Sequence, residues 1–203
     1  MNVIERLHSR YISDRRARVL SEQMAPLFPL ASRVLDIGSG DGQIAMLTKQ
    51  IRPDVQTTAV DVLLRSDTRI PVQLYNGRSL PFEEGSFDMC MLVDVLHHAQ
   101  EPLMLLGEAR RVCRRAIVIK DHALEGVFAR ETLGFMDQVG NRRHGVALPH
   151  IYWSLAEWME AFESLELSVE SWSQRVPLYP WPLSFWFGRS LHFIAKLGIS
   201  IES

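Results

Sequence analysis

Val34-Leu35-Asp36-Ile37-Gly38-Ser39-Gly40-Asp41-Gly42 is the stretch of sequence that decides the fold. Its apolar first half is typical of a short buried strand, and the residues from Gln43 onward have helical spacing. A glycine-rich turn therefore joins a strand to a helix. Glycines at alternate positions permit backbone conformations that side chains forbid, and they let a ligand lie against bare main chain. The stretch predicts the floor of a nucleotide-type cofactor site.

Two carboxylates, Asp36 and Asp41, distinguish this turn from a pyrophosphate site. A pyrophosphate prefers backbone N–H groups and a helix N-terminus without fixed negative charge beside them. The aspartates instead favour a ligand that carries positive charge. A dinucleotide site stays open as an alternative, because residues 40–45 formally satisfy the Gly-x-Gly-x-x-Ala pattern.

Composition restricts the class of protein. The chain has 203 residues, 47% of them apolar and 23% charged, which is typical of one globular domain. A formal net charge of -2 gives no support for a nucleic-acid partner. Cys90 and Cys113 have no metal or redox spacing, and we expect reduced thiols in a cytoplasmic protein. We expect neither a leader peptide nor an integral membrane segment, because no apolar run approaches the ~20 residues of a membrane span.

Strands and helices alternate along most of the chain. This alternation predicts an α/β fold with a doubly wound, parallel sheet, whose ligands bind outside the carboxyl ends of the strands. Polar residues at these ends are Asp36, Asp61, Asp94, Asp121 and His122. The predicted strands are 33–37, 55–60, 72–75, 87–93, 116–119, 167–176 and 191–197, and the predicted helices include 3–28, 43–51, 102–112 and one with Ser154 and Glu157 as a capping box.

Several motifs in order resemble one family. They are the glycine turn, Asp61, Leu80-Pro81-Phe82 with Ser86-Phe87-Asp88, Val95-Leu96-His97-His98, and Glu108-Ala109-Arg110-Arg111-Val112. Together, over residues 30–122, they look like a class I S-adenosylmethionine-dependent methyltransferase, and more narrowly the small single-domain group that includes ubiquinone and menaquinone methyltransferases. The resemblance implies a Rossmann-like sheet of seven strands, mostly parallel with an antiparallel last strand, and helices on both faces.

The resemblance also implies a role for each residue that binds S-adenosyl-L-methionine. Asp36 and the backbone of Gly38, Ser39 and Gly40 would hold the methionine part, with Asp36 near the ammonium group, and Asp61 would accept from the ribose hydroxyls. The remaining implied contacts are Asn76 and Gly77 at the adenine edge, where the family commonly has an aspartate, and the backbone carbonyl of Val93 or a neighbour at the cofactor amine.

We expect a single domain with four parts. Residues 1–29 form an N-terminal helical lid, 30–122 the cofactor-binding core, 123–150 an insertion that covers the acceptor, and 151–203 the C-terminal helix and last two strands. Residues 177–187 are rich in proline and aromatic side chains, which either pack on the sheet or serve a lipophilic acceptor or a peripheral membrane contact.

The chemistry expected of this cofactor is in-line displacement onto a small, apolar or aromatic acceptor. A general base is required only for a hydroxyl or an acidic carbon. The candidates are Asp121, His122 and His150. The pair His97-His98 is interpreted as structural in preference to catalytic.

A metal site built from histidines is weighed and not expected, because no cysteine or carboxylate stands at ligand spacing beside His97, His98, His122, His144 and His150. Two other functions remain open. One is a non-catalytic binding partner that keeps the fold, and the other is an NAD-dependent oxidoreductase. The sequence leaves the acceptor and the oligomeric state undefined.

Overall fold

A computed structural model describes residues 3–141, 151–181, 183–188 and 190–200. The helices are α1 (Val3–Met24), α2 (Gln43–Ile51), α3 (Pro102–Val112), α4 (Ala129–Asn141), α5 (Leu155–Ser164) and α6 (Leu183–Phe187), with 3-10 turns at Ala25–Leu27 and Leu96–His98. The strands are β1 (Arg33–Ile37), β2 (Gln56–Asp61), β3 (Val72–Leu74), β4 (Phe87–Val93), β5 (Cys113–His122), β6 (Leu167–Ser173) and β7 (His192–Ile199).

The seven strands form one sheet in the order β3-β2-β1-β4-β5-β7-β6. The pairs among β1 to β5 are parallel, whereas β7 runs antiparallel to both β5 and β6. The predicted Rossmann-like, doubly wound sheet with an antiparallel last strand is therefore confirmed.

The centre of the sheet is almost wholly apolar. Leu35 and Ile37 of β1 and the run Met89–Leu92 of β4 are completely buried. Burial on both faces explains why β4 has a continuous apolar sequence in place of an alternating one. Removing this surface from water is the main stabilising contribution to the core.

The direction of winding reverses at β1. From β1 the chain passes to β2 on one side and later to β4 on the other, so a crevice opens beyond the carboxyl ends of β1 and β4. The glycine turn lies at this crevice. It is tied to β2 because the backbone N–H groups of Gly38 and Ser39 both donate to the carbonyl of Val60, at 2.8 and 3.1 Å.

Strand β5 is longer than predicted. The sequence predicted residues 116–119, whereas the strand spans Cys113–His122 and follows directly on the last residue of α3. Its polar end is held in the sheet because β7 pairs with it as far as His122 opposite His192. As a result, Lys120, Asp121 and His122 lie within the strand and are buried.

The capping box at the start of α5 is confirmed. The Ser154 hydroxyl accepts from the backbone N–H of Glu157 at 3.3 Å, and the Glu157 carboxylate accepts from the backbone N–H of Ser154 at 2.7 Å. We expect Ser154→Ala to lower the free energy of unfolding by about 1 kcal/mol in urea titrations. Ser154→Asn should retain most of the stability, and equal losses in both variants would contradict a capping role.

Candidate cofactor and acceptor site

The glycine turn is closely packed as well as sharply bent. Gly38, Gly40 and Gly42 have φ values of 73°, 63° and 75°, in the left-handed region that favours glycine. A Cβ atom on Gly38 would lie 2.5 Å from a methyl carbon of Val95, and one on Gly42 would lie 2.5 Å from a carbon of Ile70. The bare backbone is therefore required by conformation and by packing.

Asp36 lies beneath this turn without a countercharge. Its side chain is buried, and none of the positively charged side chains that the structure describes forms an ion pair with it. Burial, together with the charge of Asp61, raises the pKa of Asp36 to about 8. A cationic group bound nearby would favour the ionised carboxylate.

Ser39 adds a second polar group to the floor of this site. Its hydroxyl oxygen is buried and has no hydrogen-bond partner in the described part of the chain. A buried polar atom that lacks a partner is costly, so a ligand with hydrogen-bonding groups would satisfy it. Asp36 and Ser39 together fit the charged amino-acid end of S-adenosylmethionine.

Asp61 is oriented by the backbone on both sides. Its Oδ2 accepts from the N–H of Gly40 at 2.7 Å and its Oδ1 from the N–H of Leu63 at 3.0 Å. A carboxylate accepts about four hydrogen bonds, so two acceptor positions are left for a pair of hydroxyl groups. The side chain is thus fixed in place with capacity to hold a ribose.

The side chain of Asn76 forms hydrogen bonds within its own turn. Its side-chain carbonyl accepts from the N–H groups of Arg78 and Ser79 at 2.8 and 2.9 Å. The amide NH₂ is the group that this arrangement leaves for a ligand, so a direct acceptor contact to an adenine amino group is disfavoured. Gly77 has a φ of 76° and lies near Val62.

A group of buried or mostly buried polar side chains lies at the carboxyl ends of β4 and β5 and at the start of β7. We define the polar cluster as Asp94, His97, Lys120, Asp121, His122 and His192. Val93, whose backbone carbonyl is expected to accept a hydrogen bond from the cofactor amine, ends β4 opposite Lys120, and Asp94 follows with a φ of 54°. The sheet register thus places the polar cluster next to the glycine turn.

One half of the polar cluster is an ionic network around Asp94. Its carboxylate accepts from the guanidinium of Arg16 on α1 and from the ammonium of Lys120 on β5. The Lys120 Nζ lies 3.3 Å from His192 Nδ1, and His192 Nε2 donates to the carbonyl of Phe187 at 3.1 Å. This network connects α1, the sheet and α6.

The other half is organised by Asp121, which is completely buried. Its Oδ1 lies 2.6 Å from His97 Nδ1 and accepts from the N–H of His122 at 2.8 Å, while its Oδ2 accepts from the N–H of Leu96 at 3.1 Å. Burial opposes ionisation, but the two histidines hold the pKa of Asp121 well below its usual range. Asp121 is therefore a charged acceptor that positions its neighbours.

These contacts determine whether the general-base candidates predicted from the sequence can accept a proton. Burial and the charges of Lys120 and His97 lower the pKa of His122 to about 3, so that ring stays neutral near pH 7. Asp121 is an equally poor proton acceptor because its pKa is lowered. His150 lies outside the described residues, as does His144.

Two of the histidines considered for a metal site, His97 and His122, lie close to carboxylates in the structure. Potential ligand atoms of Asp94, His97, Asp121 and His122 all lie within 4.8 Å of one another. The sequence placed Asp94, Asp121 and His122 at strand ends, but it did not reveal the whole group as a set of ligands, because the residues that follow β4 and those that end β5 are separated by α3. Arg16, Lys120 and His192 were likewise missed, although a lysine inside an apolar strand is a signal of function.

The aromatic-rich segment, residues 177–187, is packed in some places and exposed in others. Leu178 is completely buried and Tyr179 packs near His192, with ring centroids 6.0 Å apart, whereas Trp181 is 85% exposed and Phe185 is 70% exposed. On neighbouring α4, Phe135 stacks against Phe187 with ring centroids 6.3 Å apart. Packing therefore explains Leu178, Tyr179 and Phe187 but does not explain the exposed rings of Trp181 and Phe185.

Residues 35–119 match the protein family described as "Methyltransferase domain". One curated relative is the 27-O-demethylrifamycin SV methyltransferase of Amycolatopsis mediterranei, which is 27% identical over 131 residues. The match covers 54% of this chain and 48% of that protein. The chain thus spans about half the length of this curated relative.

Solved structures with the same fold cover nearly the whole chain. A chain of the Haloferax volcanii complex between the Trm112 methyltransferase activator and a methyltransferase has a TM-score of 0.72 at 14% identity, with 97% of this chain and 94% of that chain covered. A S-adenosylmethionine-dependent methyltransferase from Aquifex aeolicus has a TM-score of 0.59 at 19% identity, with 89% of each chain covered. These likenesses establish the fold.

In the described part of the chain, the helices are too short or too polar to cross a membrane.

Proposed function

We propose that this chain is a class I S-adenosylmethionine-dependent methyltransferase, because residues 35–119 match the methyltransferase domain family, and that it transfers the methyl group of S-adenosylmethionine to a small apolar or aromatic acceptor. When bound, this cofactor supplies a methyl group on a positively charged sulfur, which leaves as a neutral thioether. The protein then has to align the acceptor in line with the breaking bond and to exclude water.

The observation that carries this proposal is the buried, uncompensated carboxylate of Asp36 below the glycine turn. A dinucleotide brings phosphates to such a turn, and their negative charge would face Asp36 and Asp61. An ammonium group would neutralise Asp36 instead. We propose that Asp36, Ser39 and the glycine backbone hold the methionine part and that Asp61 holds the ribose.

Water would be excluded by three elements around the polar cluster. Arg16 joins α1 to Asp94, the N–H of Ile151 donates to the carbonyl of His97 at 3.1 Å, and His192 joins β7 to α6. These contacts support the proposal that α1 and the segment after β5 act as covers of the transfer site.

The exposed aromatic side chains support a lipophilic acceptor. Phe128 at the start of α4 is 69% exposed, and with Trp181 and Phe185 it adds large apolar surface near the covers of the site. The name of the Amycolatopsis relative describes methylation at an oxygen of 27-O-demethylrifamycin SV. We extend this to a hydroxyl-bearing, largely apolar acceptor here, and we place the protein in the cytoplasm, where the same side chains could contact a membrane surface.

Binding of S-adenosylmethionine should release a proton. With a pKa of about 8, Asp36 is about nine-tenths protonated at pH 7, and a bound ammonium group favours the ionised form. Affinity should therefore rise about tenfold between pH 6 and pH 7 and level off above pH 8. Calorimetric titrations in buffers with different heats of ionisation measure the protons released, and we expect close to one per site at pH 7.

Asp36→Asn is the matched control, because the amide keeps the shape of the side chain and cannot ionise. This variant should bind weakly and with an affinity that no longer changes between pH 6 and pH 7. A pH-independent affinity of the unchanged protein would show that Asp36 does not face the ammonium group. Failure of the unchanged protein to bind S-adenosylmethionine would contradict the proposed function itself.

Two measurements separate the alternative functions. A change in NADH fluorescence on mixing would favour an oxidoreductase. Binding of S-adenosylmethionine without formation of S-adenosylhomocysteine, over a panel of hydroxyl-bearing aromatic acceptors, would favour a non-catalytic partner that keeps the fold.

A further inference from the structure

The connection between β2 and β3 crosses the glycine turn. We define the strap as residues 62–71, which contain no helix, unlike the connections from β1 to β2 and from β4 to β5. One end of the strap is tied to β2, because the N–H of Leu63 donates to the Asp61 carboxylate at 3.0 Å. The other end is tied to the turn, because Arg69 donates its backbone N–H to the carbonyl of Asp41 at 2.7 Å and its Nε–H to the carboxylate at 3.2 Å. The strap is thus fixed at both ends beside the floor of the proposed cofactor site.

Arg65 lies between these two anchors and contacts the turn. A Cβ atom on Gly40 would lie 3.0 Å from Nη2, 3.1 Å from Cζ and 3.4 Å from Nη1 of Arg65. Since the three distances are similar, the guanidinium group as a whole lies over the bare backbone of Gly40. The N–H of the same glycine donates to Asp61, the residue proposed to hold the ribose. The head of an exposed side chain is therefore held at the floor of the site.

Arg65 differs from the other cations near this edge of the sheet. Arg69 is paired with Asp41, and Lys120 is paired with Asp94. Among the residues that the structure describes, no carboxylate forms an ion pair with Arg65. A guanidinium has five N–H donors and stays charged at any pH that the fold tolerates. It is therefore suited to a negatively charged group of a ligand at the turn.

The methionine part of S-adenosylmethionine has such a group, since it carries a carboxylate as well as an ammonium group. Asp36 is proposed to face the ammonium group, but the carboxylate would lie among the acidic side chains Asp36, Asp41 and Asp61. Like charges repel, and the repulsion grows where burial lowers the effective dielectric constant. A guanidinium beside the turn offsets this repulsion, and its planar set of N–H groups can donate two parallel hydrogen bonds to a carboxylate.

The amino end of α2 is another group of donors at this turn, but it is already capped. The N–H of Gln43, the first residue of α2, donates to the Asp41 carboxylate at 3.1 Å. The negative charge of Asp41 thus occupies the helix end and disfavours a second carboxylate there. The guanidinium of Arg65 has no such competitor among the described carboxylates.

We propose that Arg65 binds the carboxylate of the methionine part of the cofactor and that the strap holds it in place for this contact. This inference rests on the proposed function, and it adds to the cofactor site a residue that lies outside the motifs of the sequence. Asp36 and Arg65 then bind the two opposite charges of one amino-acid group. The site should therefore disfavour a ligand that lacks the carboxylate.

Removing the carboxylate from the ligand and the guanidinium from the protein tests this contact. Decarboxylated S-adenosylmethionine keeps the sulfonium, the ribose and an ammonium group. In isothermal titration calorimetry, the unchanged protein should bind S-adenosylmethionine about 10–30-fold more tightly than this analogue, the size expected of a hydrogen bond between charged groups. Arg65→Gln should weaken the binding of S-adenosylmethionine by a similar factor and leave the Kd of the analogue within about twofold.

Two further variants separate recognition of charge from support of the turn. Arg65→Lys keeps the positive charge but loses the paired donors, so its affinity for S-adenosylmethionine should be intermediate. Arg115→Gln is the matched control, because its side chain is 61% exposed near the amino end of β5, at the opposite edge of the sheet. This variant should leave the Kd of both ligands within about twofold.

The possible failures have different meanings. Equal losses of affinity for both ligands in Arg65→Gln would show that Arg65 only supports the turn, and this would overturn the inference. An unchanged affinity of Arg65→Gln for S-adenosylmethionine would overturn it as well. If the unchanged protein itself does not bind S-adenosylmethionine, the proposed function is rejected together with this contact.

Discussion

Asp61→Ala should weaken the binding of S-adenosylmethionine by about 100-fold. A hydrogen bond to a charged group contributes about 1.5–3 kcal/mol, and 1.4 kcal/mol corresponds to a tenfold change in Kd, so the loss of two ribose contacts reaches this size. The substitution also removes the acceptor for the N–H of Gly40, which loosens the turn itself. Isothermal titration calorimetry measures the change directly.

The control for this prediction is Asp67→Ala, the same substitution at an exposed carboxylate six residues along the chain. Its effect on Kd should stay within about threefold, which is the size of a surface change of ±0.5 kcal/mol. Asp61→Asn should have an intermediate affinity, because the amide keeps one acceptor oxygen. Equal affinities of Asp61→Ala and the unchanged protein would remove Asp61 from the cofactor site.

Trp158→Ala should lower the free energy of unfolding by about 3–5 kcal/mol, the usual cost of removing a buried tryptophan. The ring is 2% exposed and lies 4.7 Å from the ring of Trp153 and 5.1 Å from that of Phe193. Its Nε1–H donates to the carbonyl of His122 at 2.9 Å, so the substitution leaves a buried acceptor unsatisfied as well as a cavity. Urea titrations followed by far-ultraviolet circular dichroism provide the measurement.

Two variants separate the contributions of packing and hydrogen bonding to this loss of stability. Trp158→Phe keeps much of the packing and removes the donor, and we expect a loss of about 1–3 kcal/mol. Trp181→Ala removes an equally large ring that is 85% exposed, and its effect should be within ±0.5 kcal/mol. A loss below 1 kcal/mol for Trp158→Ala would show that the ring does not hold α5 against the sheet.

Much of the fold could be predicted because its signals are local. The turn at Gly38, Gly40 and Gly42, the continuous apolar run of β4 and the Ser154 capping box each depend on residues that are close in sequence. The resemblance to class I methyltransferases depends on the order of such motifs, and the family match over residues 35–119 agrees with it.

The extent of β5 could not be predicted in the same way. Residues 113–115 read as a basic surface segment, and Lys120 to His122 read as a polar strand end. Pairing with β7, which lies about 75 residues further along the chain, extends the strand through this polar end. A partner at that distance leaves no periodic signal in the segment itself.

The polar cluster was predicted only in part, for a related reason: Asp94, Asp121 and His122 were placed at strand ends, whereas their contacts with His97, Lys120 and His192 were not predicted. The pair His97-His98 was interpreted as structural, and the partner of His97, Asp121, is 24 residues away in the sequence. Parallel pairing of β4 with β5 brings the two side chains together. Sequence spacing alone cannot show that a histidine and a carboxylate so far apart in the chain are in contact.

The position of β7 between β5 and β6 also determines the order in which the strands can pair during synthesis. During synthesis β6 emerges before β7, yet β6 has no neighbour in the sheet until β7 has paired with β5. His192 and its contact with Lys120 arrive with that same strand. A ribosome-bound chain that ends before His192 can therefore complete the glycine turn while the polar cluster still lacks His192, so these two groups of residues form at different moments of synthesis.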